Sequence, residues 1–520
     1  MVDTRMVDGE STDPESIESA DARTKVPCLS GWCAVLVVGL LLFSATANRG
    51  AQWQDSGYII LRIATQQLDN PLGLALVHPL HHWIGRAFVA ITGGMIEPCF
   101  AVTLVSVFAG AVTVANIYGC VLLLGRRRFA AMFGAGSLMV AHTFWQMSTR
   151  TESYTLVTAL MTGECWLLIA YVLTKNKRYL WGMLLLNGLG LANHMLASLT
   201  TPVLVVVVLL ALRRREIRAR DAVVGGALWL VGSLPYTGLV LLELVRSGDF
   251  AGTLRSALFG HAYAGDVLNA SMSVRFASIS AAFIVLNFPN LLLPAACYGL
   301  MRGIWQTVPP LAARCLLAGL VIHAFFVLRY SIADQYTFFL PMYAYLCMFG
   351  GAGLASVRRW ESRGARQSVS VAAVVMFLLT PVACVMGASV ARDRNVLASM
   401  ARNKPYRDDY TYLFVPWSSA DDSAERMSRQ AVDLAGGGGL ILVEDEMASF
   451  AVKYAAVRSG NKEIDVTIDW TGADIAQAAS EKRDVVLVPA SVDKPPAQPP
   501  VGSWIPQGDL YLLEPHVSGS

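Results

Sequence analysis

Two carboxylates and a small set of basic and amide side chains draw attention because they lie beside long apolar runs rather than inside them. Asp55 sits in Gln52-Trp53-Gln54-Asp55-Ser56-Gly57, just past the first hydrophobic segment. The next polar cluster is His78-Pro79-Leu80-His81-His82, and further on come Thr149-Arg150-Thr151-Glu152, Asn193-His194, and Arg329 with Asp334. A charge at the mouth of a membrane span is costly unless it has a partner or a chemical task. A carboxylate placed there can serve as general base toward a hydroxyl, and an arginine can neutralise a phosphate. Asp55 and Glu152 are therefore the candidate catalytic residues, and His78, His81, Arg150, Asn193, His194, Arg329 and Asp334 the candidate substrate-binding set. His78, His81 and His82 share one helical face at spacing i, i+3, i+4, which would also suit a metal. Histidines at headgroup level have the same pattern, so no metal is assigned. Arg329 has a second reading, as a cap snorkelling at a helix end.

The elements that must position these residues are membrane helices. The chain has 520 residues, 54% hydrophobic and only 15% charged, less charge than a soluble chain of this length carries. Runs near spanning length recur from Trp32 to Ala391. Basic clusters at Arg126-Arg127-Arg128, Lys175 to Arg178, Arg213 to Arg220, Arg302 with Arg314, and Arg358 to Arg363 all fall on one side of a topology with about eleven spans. That side is expected to be cytoplasmic, which puts the N-terminus inside and Asp55, Glu152, Arg329 and the C-terminal part outside. Trp83–Ile91 is too short to cross comfortably and reads as an interfacial or partly inserted helix, and 276–300 reads as one crossing. The net charge of +3 reflects these loops and gives no reason to expect nucleic acid. The nine cysteines lie in or beside apolar segments without metal-ligand spacing, as small packing residues.

Three regions follow. Residues 1–31 are polar at first, with interspersed acids and bases, and read as a disordered cytoplasmic tail. Residues 32–391 form the membrane domain. Residues 392–520 have the composition of a soluble domain, with strands expected at Leu440-Ile441-Leu442-Val443, Glu463–Asp469, Asp484–Pro489 and Asp509–Leu513 and a helix over Ala448–Arg458: a small α/β layer. Gly436–Gly439 precede a strand, whereas a phosphate loop follows one, so they do not indicate a nucleotide site.

Several of these stretches resemble a bacterial membrane family of unknown-function proteins related to the protein O-mannosyltransferases, within the GT-C glycosyltransferase superfamily. The resemblance rests on Asp55-Ser56-Gly57, His78-Pro79, His142-Thr143-Phe144-Trp145-Gln146 running into Thr151-Glu152-Ser153-Tyr154-Thr155-Leu156, Gly190-Leu191-Ala192-Asn193-His194, and Arg329-Tyr330 through Asp334-Gln335-Tyr336-Thr337-Phe338-Phe339-Leu340-Pro341. It covers 32–355 well and the soluble part loosely. Family members usually continue the histidine motif as His-Pro-Pro-Gly, and this chain has Leu80-His81 there. The resemblance implies a GT-C-like fold, a polyprenyl-phosphate-linked sugar (mannose-like) as donor substrate, a protein or glycan hydroxyl as acceptor, and an exterior active site in the cytoplasmic (inner) membrane with Asp55 as its acid. No other cofactor is implied. The competing class is a transporter or flippase of a lipid-linked sugar. Against it, the charges gather at the ends of spans rather than midway along them, and no internal repeat is evident.

Overall fold

The computed structural model describes residues 14–261, 263–269, 271, 273–330, 332, 334–356, 362–398 and 401–514. Among these, eight helices are long and apolar enough to cross a membrane, from Leu29–Thr46 to Gln367–Asp393. The first helix runs unbroken over Pro14–Thr46, so it begins inside the stretch read as a tail; residues 1–13 lie outside the described set. The crossing expected at 276–300 is a broken one. Val274–Asn287 and Leu292–Thr307 meet at 108°. Pro289 in the break has no N–H to donate, and the Asn290 side chain accepts instead from the Leu292 N–H at 2.8 Å, starting the second helix afresh. Of the about eleven spans expected, the apolar runs over 129–145 and 179–195 fold as Arg128–Met139 followed by His142–Ser148, and as the 17-residue helix Lys177–Asn193. These are shorter than the eighteen-residue helices that qualify on their own. Pro79–Thr92, at 14 residues, is likewise too short to span.

The innermost helices are Pro98–Gly125 and Leu340–Ser356. Ile117, Val121, Tyr343 and Phe349 are fully buried, packed into one core with Phe43 and Phe144. A helix apolar all round needs such neighbours, whereas helices with only one buried stripe face lipid.

The C-terminal part is a five-stranded sheet. Its strands are β1 (Leu440–Val443), β2 (Asp465–Thr467), β3 (Val485–Val488), β4 (Ser503–Gln507) and β5 (Leu510–Glu514), in the order β2-β1-β3-β5-β4. β1 pairs in parallel with β2 and β3, and β5 is antiparallel to β3 and β4. The short apolar runs in β1 and β3 are buried on both faces, as parallel strands covered by helices must be. Ile441, Val443, Val486 and Val488 face helices Ser423–Ala435 and Glu446–Ser459. Leu440, Leu442, Val485 and Leu487 face helix Gly472–Ser480. The first of these two cores does not stop at the domain: it continues through Trp53, Ile60, Ile63, Cys99 and Val102 of the membrane part.

Candidate active site

The polar loops beside the spans converge on one cavity of about 260 Å³, lined by Asp55, Tyr58, Arg62, His78, Glu152 and His194, among others. Its apolar wall includes Tyr154, Phe326, Tyr330 and Phe338, and Phe338 meets two of these rings edge to face, Tyr154 at 5.0 Å and Tyr330 at 4.8 Å.

Asp55 occupies the first turn of the short helix Gln54–Ala64, where a negative charge suits the helix dipole. The start of this helix is tightly folded. Gln54 has φ +57°, and a Cβ on Gly57 would stand 2.2 Å from the carbonyl oxygen of Gln52. That contact explains the glycine of Asp55-Ser56-Gly57, since any side chain would push the turn open. Asp55, Tyr58 and Arg62 then recur every three to four residues on the cavity side. The same stretch also meets the C-terminal domain: the Tyr58 ring lies 4.7 Å from that of Phe450, and Trp53 Nε1 donates to Ser423 Oγ at 2.8 Å.

Glu152 lies in the turn between helices His142–Ser148 and Tyr154–Thr174. Thr151 N donates to Gln52 Oε1 at 2.9 Å, and Glu152 N donates to Ser106 Oγ at 3.0 Å, so this turn is locked to the Asp55 loop and to helix Pro98–Gly125. Ser56 Oγ donates to Glu152 Oε1 at 2.8 Å. Asp55 opens to the cavity but protein encloses it on most sides, and this enclosure raises its pKa. Glu152 is pushed up to about 8, first by enclosure and then by the Asp55 charge. Asp334, whose carboxylate stands 3.5 Å from the Tyr154 hydroxyl, is raised to about 6 by the same two causes. Like charges in one enclosed site cannot all ionise together.

His78 caps helix Pro79–Thr92 in the left-handed region, at φ +51° and ψ +55°, a conformation most side chains avoid. Its ring stacks on His194 at 4.9 Å, and its Nδ1 lies 2.7 Å from the Asn193 carbonyl oxygen. A carbonyl only accepts, so Nδ1 carries the proton. With its pKa lowered to about 4 by burial, His78 is neutral and its Nε2 is the acceptor nitrogen. His194 is the reverse. Its Nδ1 accepts from Leu196 N at 3.0 Å, and burial holds its pKa well below the ordinary value, so its Nε2 carries the proton and donates. One backbone oxygen and one backbone N–H thus set opposite tautomers in the stacked pair.

The other residues expected to bind substrate lie around this cavity rather than in it. Asn193 holds the wall, donating to Ser153 O at 2.9 Å. His81 is 1% exposed, with Nε2 lacking a partner among the described residues. Arg150 faces the soluble domain, donating to Ser418 Oγ at 3.3 Å and Tyr412 OH at 3.2 Å with its guanidinium 4.8 Å from the Tyr412 ring centre. Arg329 caps its own helix: Nε donates to Phe325 O at 3.2 Å, and another nitrogen holds Asn269 O at 2.8 Å. The cavity's arginine is instead Arg62, 4% exposed, which bonds the carbonyls of Leu68 and Val77 while its Nε has no partner among the described residues. The three-to-four spacing from Asp55 through Tyr58 to Arg62 is the signal that points to it. Among the described residues no three of His, Cys, Asp or Glu gather as a metal-binding group.

Residues 55–218 match the family described as protein O-mannosyl-transferase TMEM260 N-terminal domain. No curated protein matches the sequence of the chain. Among solved structures, ArnT from Cupriavidus metallidurans, with undecaprenyl phosphate bound, superposes with a TM-score of 0.59 at 13% identity, over 93% of this chain and 98% of that one. The apo form of ArnT gives 0.58 at 14% identity, with the same coverage. Arabinofuranosyltransferase AftD from mycobacteria gives 0.51 at 14% identity, over 92% of this chain and 39% of the longer AftD chain. The chain is therefore a multi-pass membrane protein that shares the fold of ArnT and AftD and is similar over residues 55–218 to the protein O-mannosyl-transferase TMEM260 N-terminal domain.

Proposed function

We propose that this chain is a membrane glycosyltransferase that moves a mannose-like sugar from a polyprenyl-phosphate donor to a hydroxyl acceptor, a protein Ser or Thr. The reaction takes place on the exterior face of the inner membrane, with the N-terminus cytoplasmic and the C-terminal domain outside. The observation that carries this reading is a single cavity holding a carboxylate at a helix start, a buried arginine and an aromatic wall. The ArnT structure, with its bound undecaprenyl phosphate, supports a lipid phosphate as the donor's leaving group.

In the reaction, the acceptor oxygen bonds to the anomeric carbon as that carbon's bond to the phosphate oxygen breaks. The acceptor proton passes to the Asp55 carboxylate. The polyprenyl phosphate leaves with an added negative charge, which Arg62 is placed to offset and the Nε2–H of His194 to hydrogen-bond. Glu152, protonated at neutral pH, adds no second charge beside Asp55, which keeps Asp55 available as a base.

The test is to incubate purified protein with a panel of polyprenyl-phosphate sugars and a Ser/Thr peptide, following release of the lipid phosphate and labelling of the peptide. Sugar transfer supports the proposal. Passage of labelled lipid across a sealed vesicle without phosphate release would replace it with the flippase reading.

A further inference from the structure

Helices Met195–Arg213 and Pro310–Val327 both touch the carboxylate cavity at one end, through Met195 to Leu199 and through Phe326. At their other ends they part to leave a crevice of about 750 Å³. Its walls are apolar, formed by Val203, Val206 and Leu210 facing Leu311, Ala318 and Ile322. Its mouth is basic, with Lys175, Arg214 and Arg314. Lys175 is already paired with Glu216 at 2.9 Å, and Glu216 also accepts from Tyr171. Among the described residues, neither Arg214 nor Arg314 has a carboxylate partner within ion-pair distance.

We propose that this crevice is a binding site for one anionic glycerophospholipid, with an acyl chain between the two helices and its phosphate on Arg214 and Arg314. An apolar slot open along a membrane helix selects a chain, and two guanidinium groups at its mouth select a phosphate, which each can meet with paired N–H bonds. Basic pockets between spans attract acidic lipid headgroups for the same reason. The site is separate from the carboxylate cavity and does not depend on the reaction proposed there. A polyprenyl phosphate donor belongs at the far end of both helices, beside Asp55.

The test is native mass spectrometry on full-length protein taken from vesicles of equal parts phosphatidylglycerol and phosphatidylcholine. Wild type should retain one phosphatidylglycerol in preference to phosphatidylcholine. Arg214→Gln with Arg314→Gln should lower that preference about tenfold or more. Ala318→Trp, which fills the slot and keeps both charges, should also lose the lipid; it decides the matter if the double variant does not elute as a folded monomer. Unchanged preference in a folded double variant or in Ala318→Trp would overturn the proposal. So would displacement of the lipid by inorganic phosphate, or by undecaprenyl phosphate more readily than by added phosphatidylglycerol.

Discussion

Replacing Glu152 by Gln separates the two acids of the cavity more sharply than any other single change. Glu152 is held at about 8 against an ordinary 4.5, by enclosure first and by the Asp55 charge second. At pH 7 the protonated form therefore exceeds the ionised form by about ten to one. Gln copies the shape of that protonated acid and keeps an oxygen for the Ser56 hydroxyl, which now donates at 2.8 Å. In a phosphate-release assay Glu152→Gln should retain activity within about threefold at pH 7, because small geometric errors, not lost chemistry, are all it introduces. Asp55→Asn should lose about a hundred- to ten-thousandfold in the same assay, the usual contribution of general-base help. The pH profile adds a second test. Wild-type activity should fall as pH rises through about 8, where a second charge appears beside Asp55, and Glu152→Gln should lack that fall. Stability follows the same sign: between about 4.5 and 8 the native state holds a proton that the unfolded state has released, so stability drops as pH rises across that window. The Gln variant should show a flatter dependence of its unfolding midpoint. If a folded Glu152→Gln is as inactive at pH 7 as Asp55→Asn, then Glu152 works as an ionised group and this assignment of charge is wrong.

Other outcomes follow from the same geometry. Arg62→Lys should raise the KM for a lipid-phosphate donor about tenfold, since lysine lacks the two-pronged donor set, while Arg329→Lys should leave donor saturation close to wild type. Saturation curves with a polyprenyl-phosphate sugar compare them, and a larger effect at Arg329 would move the phosphate site to it. Trp53→Ala should destabilise the C-terminal domain within the full protein by about 3–5 kcal/mol, because Trp53 is 3% exposed in the shared core; a domain melting transition that stays in place would show that Trp53 does not support it. Residues 392–520 expressed alone should melt lower than the same domain in the full chain or aggregate, which calorimetry against the intact protein would reveal. Cysteine labelling from outside intact cells should reach a cysteine placed in 392–520 and miss one at Arg126, Arg214 or Arg358; the reverse pattern would invert the proposed topology.

Most membrane helices are legible because apolar length is a one-dimensional property, and the cavity-lining Asp55, His78, Glu152 and His194 stand out as polar residues at the ends of such runs. What the sequence hid was direction. Arg150 and Arg329 have the right type and lie at the right ends of spans, but Tyr412 and Ser418, more than two hundred and fifty residues away in sequence, draw one aside, and its own helix carbonyl and Asn269 hold the other. Arg62 reads in the sequence as one base in an amphipathic stretch until Asp55 and Tyr58 are counted along the same helical face. The bend at Phe288–Leu291 was hidden in a similar way. Pro289 and Asn290 sit within a run whose hydropathy alone is that of one crossing.

The soluble domain is where this difference between type and direction has its largest consequence. Read as composition, residues 392–520 are a small soluble α/β domain that follows the last span. In the structure the domain grips the loop before Asp55 at several points: Glu425 accepts from the Ala51 N–H at 2.8 Å, Ser423 accepts from Trp53 Nε1, and Tyr412 OH donates to Gln54 Oε1 at 3.3 Å. These bonds fall on the residues just before Asp55, and Gln54 among them holds a left-handed backbone conformation that an isolated loop would leave. The membrane part fixes the other side of the same loop, through Gln52 to Thr103 at 2.9 Å and to Thr151. The carboxylate is thus clamped between two folding units, and neither alone supplies both halves of the clamp. A loop aspartate free to swing would be an ordinary hydrated acid. Holding it on the rigid first turn of a helix, between the two units, is what places it in an enclosed cavity with Arg62 on the same helix face.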